Sequence, residues 1–137
     1  MELKKFRYYE TNYLDFWILS AEGSDSLNEI DISIQGDELN PDEVWLSFAY
    51  DIFNNHWESV VKLAQDRLRV WGESIKKDFQ AEAVYFGDYP YGPEQEKQSG
   101  FRITLKTIGN DCEDVYGEYT ISFNQNIYPI GYEFSIA

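Results

Sequence analysis

The chain contains one cysteine and one histidine among its 137 residues, and this scarcity excludes several kinds of site. A single cysteine cannot form an intrachain disulfide, and the pair cannot supply a four-ligand structural zinc site from one chain. Cys112 lies in DCED, where neighbouring carboxylates disfavour the reactive thiolate. The sequence also lacks a nucleotide-binding glycine motif and a Gly-x-Ser-x-Gly elbow. We therefore predict no metal, no cofactor and no catalytic pairing of Cys112 with His56.

Long apolar runs are also missing. No window approaches the roughly 18 consecutive apolar residues of a membrane helix, and the charged start MELKKFRYYE is not followed by the apolar stretch of a secretory signal. Hydrophobic residues still make up 43% of the chain and aromatic residues 18%, which argues against disorder. The sequence predicts a single globular domain over residues 1–137, located in the cytoplasm.

Positive charge is scarce and unevenly distributed. The chain has eleven Lys and Arg against 25 Asp and Glu, for a net charge of −14, and no Lys or Arg lies between Arg7 and Lys62. Such a surface repels phosphate groups and anionic lipid, so neither a nucleic acid nor a membrane is the expected partner. A basic protein is the expected partner, because the acidic field would speed its association. Solubility alone is the alternative explanation of the charge.

Several segments alternate apolar and polar residues with the period of a strand that has one buried face. They are NEIDISIQ, FRITLK, EYTISFNQ and GYEFSIA. A further strand pair is predicted on either side of Glu10–Asn12. Between these segments, apolar residues recur at helical spacing from Trp45 to Trp71. The predicted fold class is therefore α+β, in two layers, with a mostly antiparallel sheet and one or two helices packed on one face.

The helical region carries recognisable start signals. Asn40 is the predicted N-cap, with Pro41 in the first helical position and Leu39 and Val44 spaced as a hydrophobic staple. Asn55 with Glu58 repeats the capping arrangement, so the pattern leaves open whether this region is one bent helix or two.

The segment YFGDYPYGPEQE, Tyr85–Glu96, combines four aromatic residues with two prolines and two glycines. It belongs to the longest predicted loop, residues 87–100. One interpretation is structural, with the tyrosines covering the sheet edge. The other is a binding loop, because rigid, amphipathic tyrosines are favoured at interfaces. The candidate partner-binding residues are Asp88, Tyr89, Tyr91 and Glu94 in this loop, and Asp111, Glu113 and Asp114 in an acidic turn.

Two long segments carry a resemblance. IDISIQGDELNPDEVWLSFAYDIFNNHWESVVKLAQDRL, with an Asn near a helix junction, resembles small bacterial domains of unknown function, and the C-terminal strands resemble the meander that closes them. Some acidic proteins of this kind act as immunity proteins in bacterial toxin systems. The resemblance covers about two thirds of the chain, and no functional residue can be carried over from it.

The leading hypothesis is a non-enzymatic acidic protein-binding module, in its specific form an immunity protein that neutralises a basic toxin. The alternative is a small carboxylate-dependent hydrolase or carbohydrate-binding domain that uses Asp88 and Glu94 as its acids. A self-assembling structural component is a third possibility.

Overall fold

A computed structural model describes residues 1–71, 78–108 and 117–136 of the chain. In these ranges the chain forms a sheet of seven strands and one helical region. The strands are β1 Glu2–Glu10, β2 Asp15–Glu22, β3 Asp31–Gln35, β4 Asp78–Tyr91, β5 Glu96–Ile108, β6 Gly117–Asn124 and β7 Pro129–Ile136. The helical region consists of α1 Glu43–Asp51, a π-helical turn Ile52–His56 and α2 Trp57–Trp71.

The strands lie in the sheet in the order of the chain, from β1 at one edge to β7 at the other. Every neighbouring pair is antiparallel except β3 and β4, which run parallel. A parallel pair needs a long crossover connection, and the helical region supplies it. The predicted α+β class and mostly antiparallel sheet are confirmed, as is the N-terminal strand pair.

The helical start differs from the prediction. Pro41 pairs with Gly36 in an isolated β-bridge, so the chain is still extended there and Asn40 cannot cap a helix. Asp42 is the N-cap instead, and its carboxylate accepts hydrogen bonds from the backbone N–H groups of Val44 and Trp45. Leu39 and Val44 are 71% and 75% exposed, so the predicted hydrophobic staple is wrong.

Asn55 does not cap a second helix either, because it lies inside the π-helical turn and donates its side-chain amide to Asp51. A π-helical turn adds one residue to a helix and shifts its phase by about 100°. Ala49 of α1 and Ala64 of α2, on either side of this turn, are both fully buried. In the described residues no helix is both long enough and apolar enough to cross a membrane.

Three phenylalanines from neighbouring strands form the centre of the core. Phe86, Phe101 and Phe123 are completely buried, and the rings of Phe101 and Phe123 stack at a centroid distance of 4.5 Å. Phe48 of α1 contacts Phe86 and Phe101 from the helical side, and Phe53 contacts Phe86. We call this side of the sheet the inner face. The outer face carries the alternate residues, among them Phe16, Ser33, Tyr85, Arg102, Thr104, Thr120, Ser122 and Glu133.

The predicted loop over residues 87–100 is wrong. β4 and β5 remain paired through Tyr91 and Glu96, and only a short turn at residues 92–95 joins them. Pro90 is tolerated because β3 pairs with β4 only as far as Phe86, so Pro90 lies on a free edge of β4. β7 also departs from the expected pattern, since Phe134 is 47% exposed at the sheet edge.

Gly87 and Gly100 face each other where the β4–β5 hairpin bends. Gly87 has φ +144°, which disfavours any residue with a side chain. A β-carbon at Gly100 would collide with the backbone carbonyl oxygen of Phe123. Gly100 therefore permits the close approach of β5 to β6, and Gly87 permits that of β4 to the Gln35 side chain.

Candidate functional site

The end of the β4–β5 hairpin folds across the outer face of the sheet and is held there by two tyrosines. The hydroxyl of Tyr89 donates to the carbonyl of Phe123 in β6 at 3.0 Å, and that of Tyr91 donates to the carbonyl of Ile130 in β7 at 3.0 Å. The guanidinium of Arg102 lies over the Tyr89 ring, 5.1 Å from its centroid. The hairpin thus contacts strands two and three positions away in the sheet, which fixes its position.

A cleft of about 400 Å³ opens between this hairpin end and the turn that joins β1 to β2. We call it the hairpin cleft. Its walls combine aromatic rings, carboxylates, amides and one lysine. The lining residues are Tyr13, Leu14, Asp15, Gln35, Gly36, Tyr85, Asp88, Tyr89, Pro90, Gln95 and Lys97.

Tyr13 lines the hairpin cleft and lies on a turn that is held by hydrogen bonds between Thr11 and Leu14. The Thr11 hydroxyl donates to the carbonyl of Leu14 and accepts from the backbone N–H of Leu14 at 2.8 Å, and the backbone N–H of Thr11 donates to the same carbonyl at 3.1 Å. Tyr13 is 84% exposed as a result. A large aromatic side chain held outward by an ordered turn is preorganised for contact with a partner.

Asp88 is the most constrained polar residue of the cleft. Its carboxylate accepts a hydrogen bond from the Ser99 hydroxyl and lies 3.4 Å from the Lys97 ammonium, while its backbone N–H donates to the Gln35 side chain at 2.6 Å. The Tyr85 hydroxyl donates to its carbonyl at 2.7 Å. Burial, and then the nearby Asp88 charge, raise the pKa of Tyr85, so this phenol stays neutral and acts as a donor.

The surroundings of the hairpin cleft are negatively charged beyond Asp15 and Asp88. The pKa of Tyr8, on β1, is raised by partial desolvation and then by the charges of Asp15, Glu10, Glu38 and Asp37. These carboxylates come from β1, β2 and the segment after β3, so the fold concentrates them at the end of the sheet that carries the cleft.

The candidate partner-binding residues predicted from the sequence do not form one site. Asp88 lines the cleft, but Tyr89 is only 1% exposed and cannot offer the free ring that the binding-loop interpretation requires. Tyr91 is partly buried, and its hydroxyl is already bonded to the Ile130 carbonyl. Glu94 is exposed in the turn and does not line the cleft. The acidic turn with Asp111, Glu113 and Asp114 lies outside the described residues, as does Cys112.

His56 lies in the π-helical turn, with its Nε2 atom 3.5 Å from a carboxylate oxygen of Asp51. A polar cavity of about 400 Å³ opens beside it, lined in part by Asn54 and Glu58. This cavity shares no lining residue with the hairpin cleft. The Ser59 hydroxyl donates to the backbone carbonyl of His56 at 2.9 Å, so that bond does not pair a nucleophile with the imidazole. The part of the chain that the structure describes holds no group of three or more His, Cys, Asp or Glu arranged to bind a metal ion.

One further pair of acids was not anticipated from the sequence. The pKa of Glu82, at a bulge in β4, is raised by desolvation, by a hydrogen bond with the Glu118 side chain and by the Glu118 charge. Lys106 opposes that rise. The two glutamates are far apart in the chain, and only the sheet register brings them together.

The cleft residues that sequence reasoning missed are Tyr13, Asp15, Gln35 and Lys97. For Tyr85, Tyr89 and Tyr91 a signal was present, because they are an even number of residues apart and so share one face of a strand. Comparison of the chain with protein-family models, with curated proteins and with solved structures found no match.

Proposed function

We propose that this chain is a non-enzymatic acidic protein-binding module that receives a basic segment of a partner protein in the hairpin cleft. Its specific form would be an immunity protein that neutralises a basic toxin. The observation that carries the proposal is the combination in one concave site of an exposed tyrosine, Tyr13, with two carboxylates, Asp15 and Asp88. Aromatic anchors surrounded by charge are typical of protein interfaces.

The proposed mechanism has two parts. The carboxylates around the cleft steer a basic partner toward it, and Tyr13 then supplies buried contact area in the complex. Neutralisation would follow from steric occlusion of the partner's surface. The proposal takes the fold as two layers, in which the helical layer covers the inner face, while the hairpin cleft at the end of the sheet stays open to the partner.

A differential capture experiment tests the proposal. Wild-type protein, a cleft variant (Tyr13→Ala with Asp15→Asn) and a control variant (Glu29→Gln) would each be immobilised and exposed to lysate of the native host. Glu29 precedes β3 at the end of the sheet opposite the cleft, and its substitution removes the same charge as Asp15→Asn. We expect one stoichiometric basic protein on the wild type and the control that is lost from the cleft variant. Equal capture by all three proteins would contradict the cleft as the binding site.

Salt dependence tests the steering part of the mechanism separately. With the captured partner, the association rate should fall by at least about tenfold between low and physiological ionic strength, because screening shortens the reach of the acidic field. Lys97→Met should raise the association rate, since Lys97 is the only base that lines the cleft among the described residues. A rate that is insensitive to salt and to Lys97 would contradict steering.

A carbohydrate-binding or carboxylate-dependent hydrolytic site is the second candidate function. The concave hairpin cleft favours it, since aromatic and acidic side chains meet there. Asp15 would have to serve as the second acid beside Asp88, because Glu94, predicted for that role, does not line the cleft. Turnover of a glycoside that Asp88→Asn abolishes without unfolding the chain would support this candidate over the protein-binding module.

A further inference from the structure

A second cavity of about 260 Å³ lies on the outer face beside the hairpin cleft and shares Leu14 and Tyr85 with it. We call it the outer-face pocket. Its chemistry differs from that of the cleft, because its only charged lining residue is a cation. Among the residues that line it are Leu14, Phe16, Ser33, Arg102, Thr104 and Thr120.

Arg102 is the central polar residue of this pocket, and its hydrogen-bonding capacity is not fulfilled. Its side chain is 20% exposed, and Nη2 forms an ion pair with Glu133 at 3.0 Å. Its Nε atom is buried and has no hydrogen-bond partner among the described residues. A buried donor without a partner is costly. A ligand acceptor would contact the exposed part of this side chain, whose guanidinium carries five N–H donors.

Three hydroxyl groups line the pocket together with Arg102. The Oγ1 atoms of Thr104 and Thr120 are 3.3 Å apart, so one hydroxyl donates to the other and the second retains a free hydrogen. Ser33 contributes a third hydroxyl. Together with Arg102, these groups offer several donors to an anion.

The remaining walls are apolar and aromatic. Phe16 meets Tyr85 edge to face, with their ring centroids 6.4 Å apart, and Leu14 and Ala83 complete the wall. One cation beside neutral donors and apolar walls suits a monoanion with an apolar body. A doubly charged phosphate suits it less, because Asp15, Asp88 and Glu133 lie close by and the net charge of the chain is −14.

From this geometry we propose that the outer-face pocket binds a small organic carboxylate, which accepts hydrogen bonds from Arg102 and from the Thr104–Thr120 pair. Its apolar part packs against Phe16 and Leu14. The site does not depend on the proposed protein-binding function, since it uses the outer face between β2 and β6 and requires no partner protein.

Titration with benzoate, followed by NMR chemical shifts, tests the proposal. Benzamide is the neutral control ligand, and inorganic phosphate tests whether any anion suffices. We expect saturable shifts of pocket residues with benzoate and at least about tenfold weaker binding of benzamide, because the charge-assisted contact with Arg102 is lost. Equal binding of benzoate and benzamide, stronger binding of phosphate than benzoate, or no saturation at tens of millimolar benzoate would overturn the proposal.

Four variants sharpen the test. Arg102→Gln should weaken benzoate binding about tenfold, and the double variant Thr104→Val with Thr120→Val should weaken it severalfold. Glu133→Gln should strengthen it, because the acid that competes for Arg102 is removed while its side-chain oxygen is retained. Lys106→Gln is the matched control, since Lys106 follows on the same face of β5 but does not line the pocket.

The control separates specific binding from a general effect of charge. An equal loss in Lys106→Gln and Arg102→Gln would overturn the proposal, and so would an unchanged affinity in Glu133→Gln. If Arg102→Gln fails to fold, the threonine double variant and Glu133→Gln decide the question, because they leave the buried arginine in place.

Discussion

The two faces of the central sheet are built from adjacent residues of the same strands, yet they differ in how completely their side chains are packed or hydrogen-bonded. On β4, β5 and β6 the inner face carries Phe86, Phe101 and Phe123, all fully buried and packed ring on ring. The residues beside them on the outer face include Arg102 and Ser122, each with a buried polar atom that has no hydrogen-bond partner among the described residues. The inner face therefore contributes most of the apolar packing, while polar groups of the outer face leave hydrogen-bonding capacity unused.

The largest effect should come from the inner face. Phe101→Ala removes a ring that contacts Phe48, Phe86 and Phe123 at centroid distances of 5.8, 5.7 and 4.5 Å. We expect a loss of about 4 kcal/mol in the free energy of unfolding, because the cavity cannot be filled by these rigid neighbours. Urea denaturation measures this loss. Thr104→Ala, on the outer face of the same strand, should cost no more than about 1 kcal/mol. Equal costs would contradict the division of roles.

The bend that brings the hairpin over the outer face comes next in magnitude. Gly100→Ala places a methyl group against the backbone of Phe123 and Asn124, which cannot move without breaking the pairing of β5 with β6. We expect a cost of about 3 kcal/mol. Gly92→Ala in the hairpin turn is the control, with φ +80° but no atom near the added methyl group. It should lose only about 1 kcal/mol, the cost of a left-handed residue.

A smaller effect should distinguish the two tyrosines that hold the hairpin. Tyr89→Phe leaves the Phe123 carbonyl without its donor in a buried site, and we expect a loss of about 1.5 kcal/mol. Tyr91→Phe removes a bond of the same length at a part-buried site, where water can replace the hydroxyl, so it should cost under about 0.5 kcal/mol. Urea denaturation of the two variants measures the difference. A larger loss in Tyr91→Phe would show that the hairpin is held chiefly at its tip.

The strands that form the inner face can be predicted from the sequence much better than the hairpin end that covers the outer face. The strands β3, β5 and β6 are visible as alternating patterns because their inner residues, such as Ile32, Ile103 and Ile121, are fully buried. Glycine and proline weaken strand patterns, so the sequence predicts a loop at the hairpin end. The segment is instead paired from β4 to β5, and bonds from Tyr89 and Tyr91 to residues 34 and 39 positions away fix it against β6 and β7.

The candidate site was less predictable for a related reason. Asp88 was identified from its local surroundings, but the cleft also needs Tyr13, Asp15 and Gln35, which come from two other parts of the chain. No local pattern marks these residues. They meet because β2 pairs with β3, and β3 pairs in parallel with β4, so the ends of these strands lie beside the hairpin.

The smallest effect should come from Ser122, and its sign is informative. The Ser122 hydroxyl lies close enough to the Tyr89 hydroxyl to oppose the rise in the pKa of Tyr89 that burial causes, yet among the described residues it has no hydrogen-bond partner in good geometry. Ser122→Ala removes a buried polar group without breaking a bond, so the free energy of unfolding should stay within about 0.5 kcal/mol of the wild type or rise slightly. Thermal and urea denaturation measure this change. A loss of more than about 1 kcal/mol would instead mean that the hydroxyl has a partner in solution, such as an ordered water, and that the outer face is more fully satisfied than its protein contacts indicate.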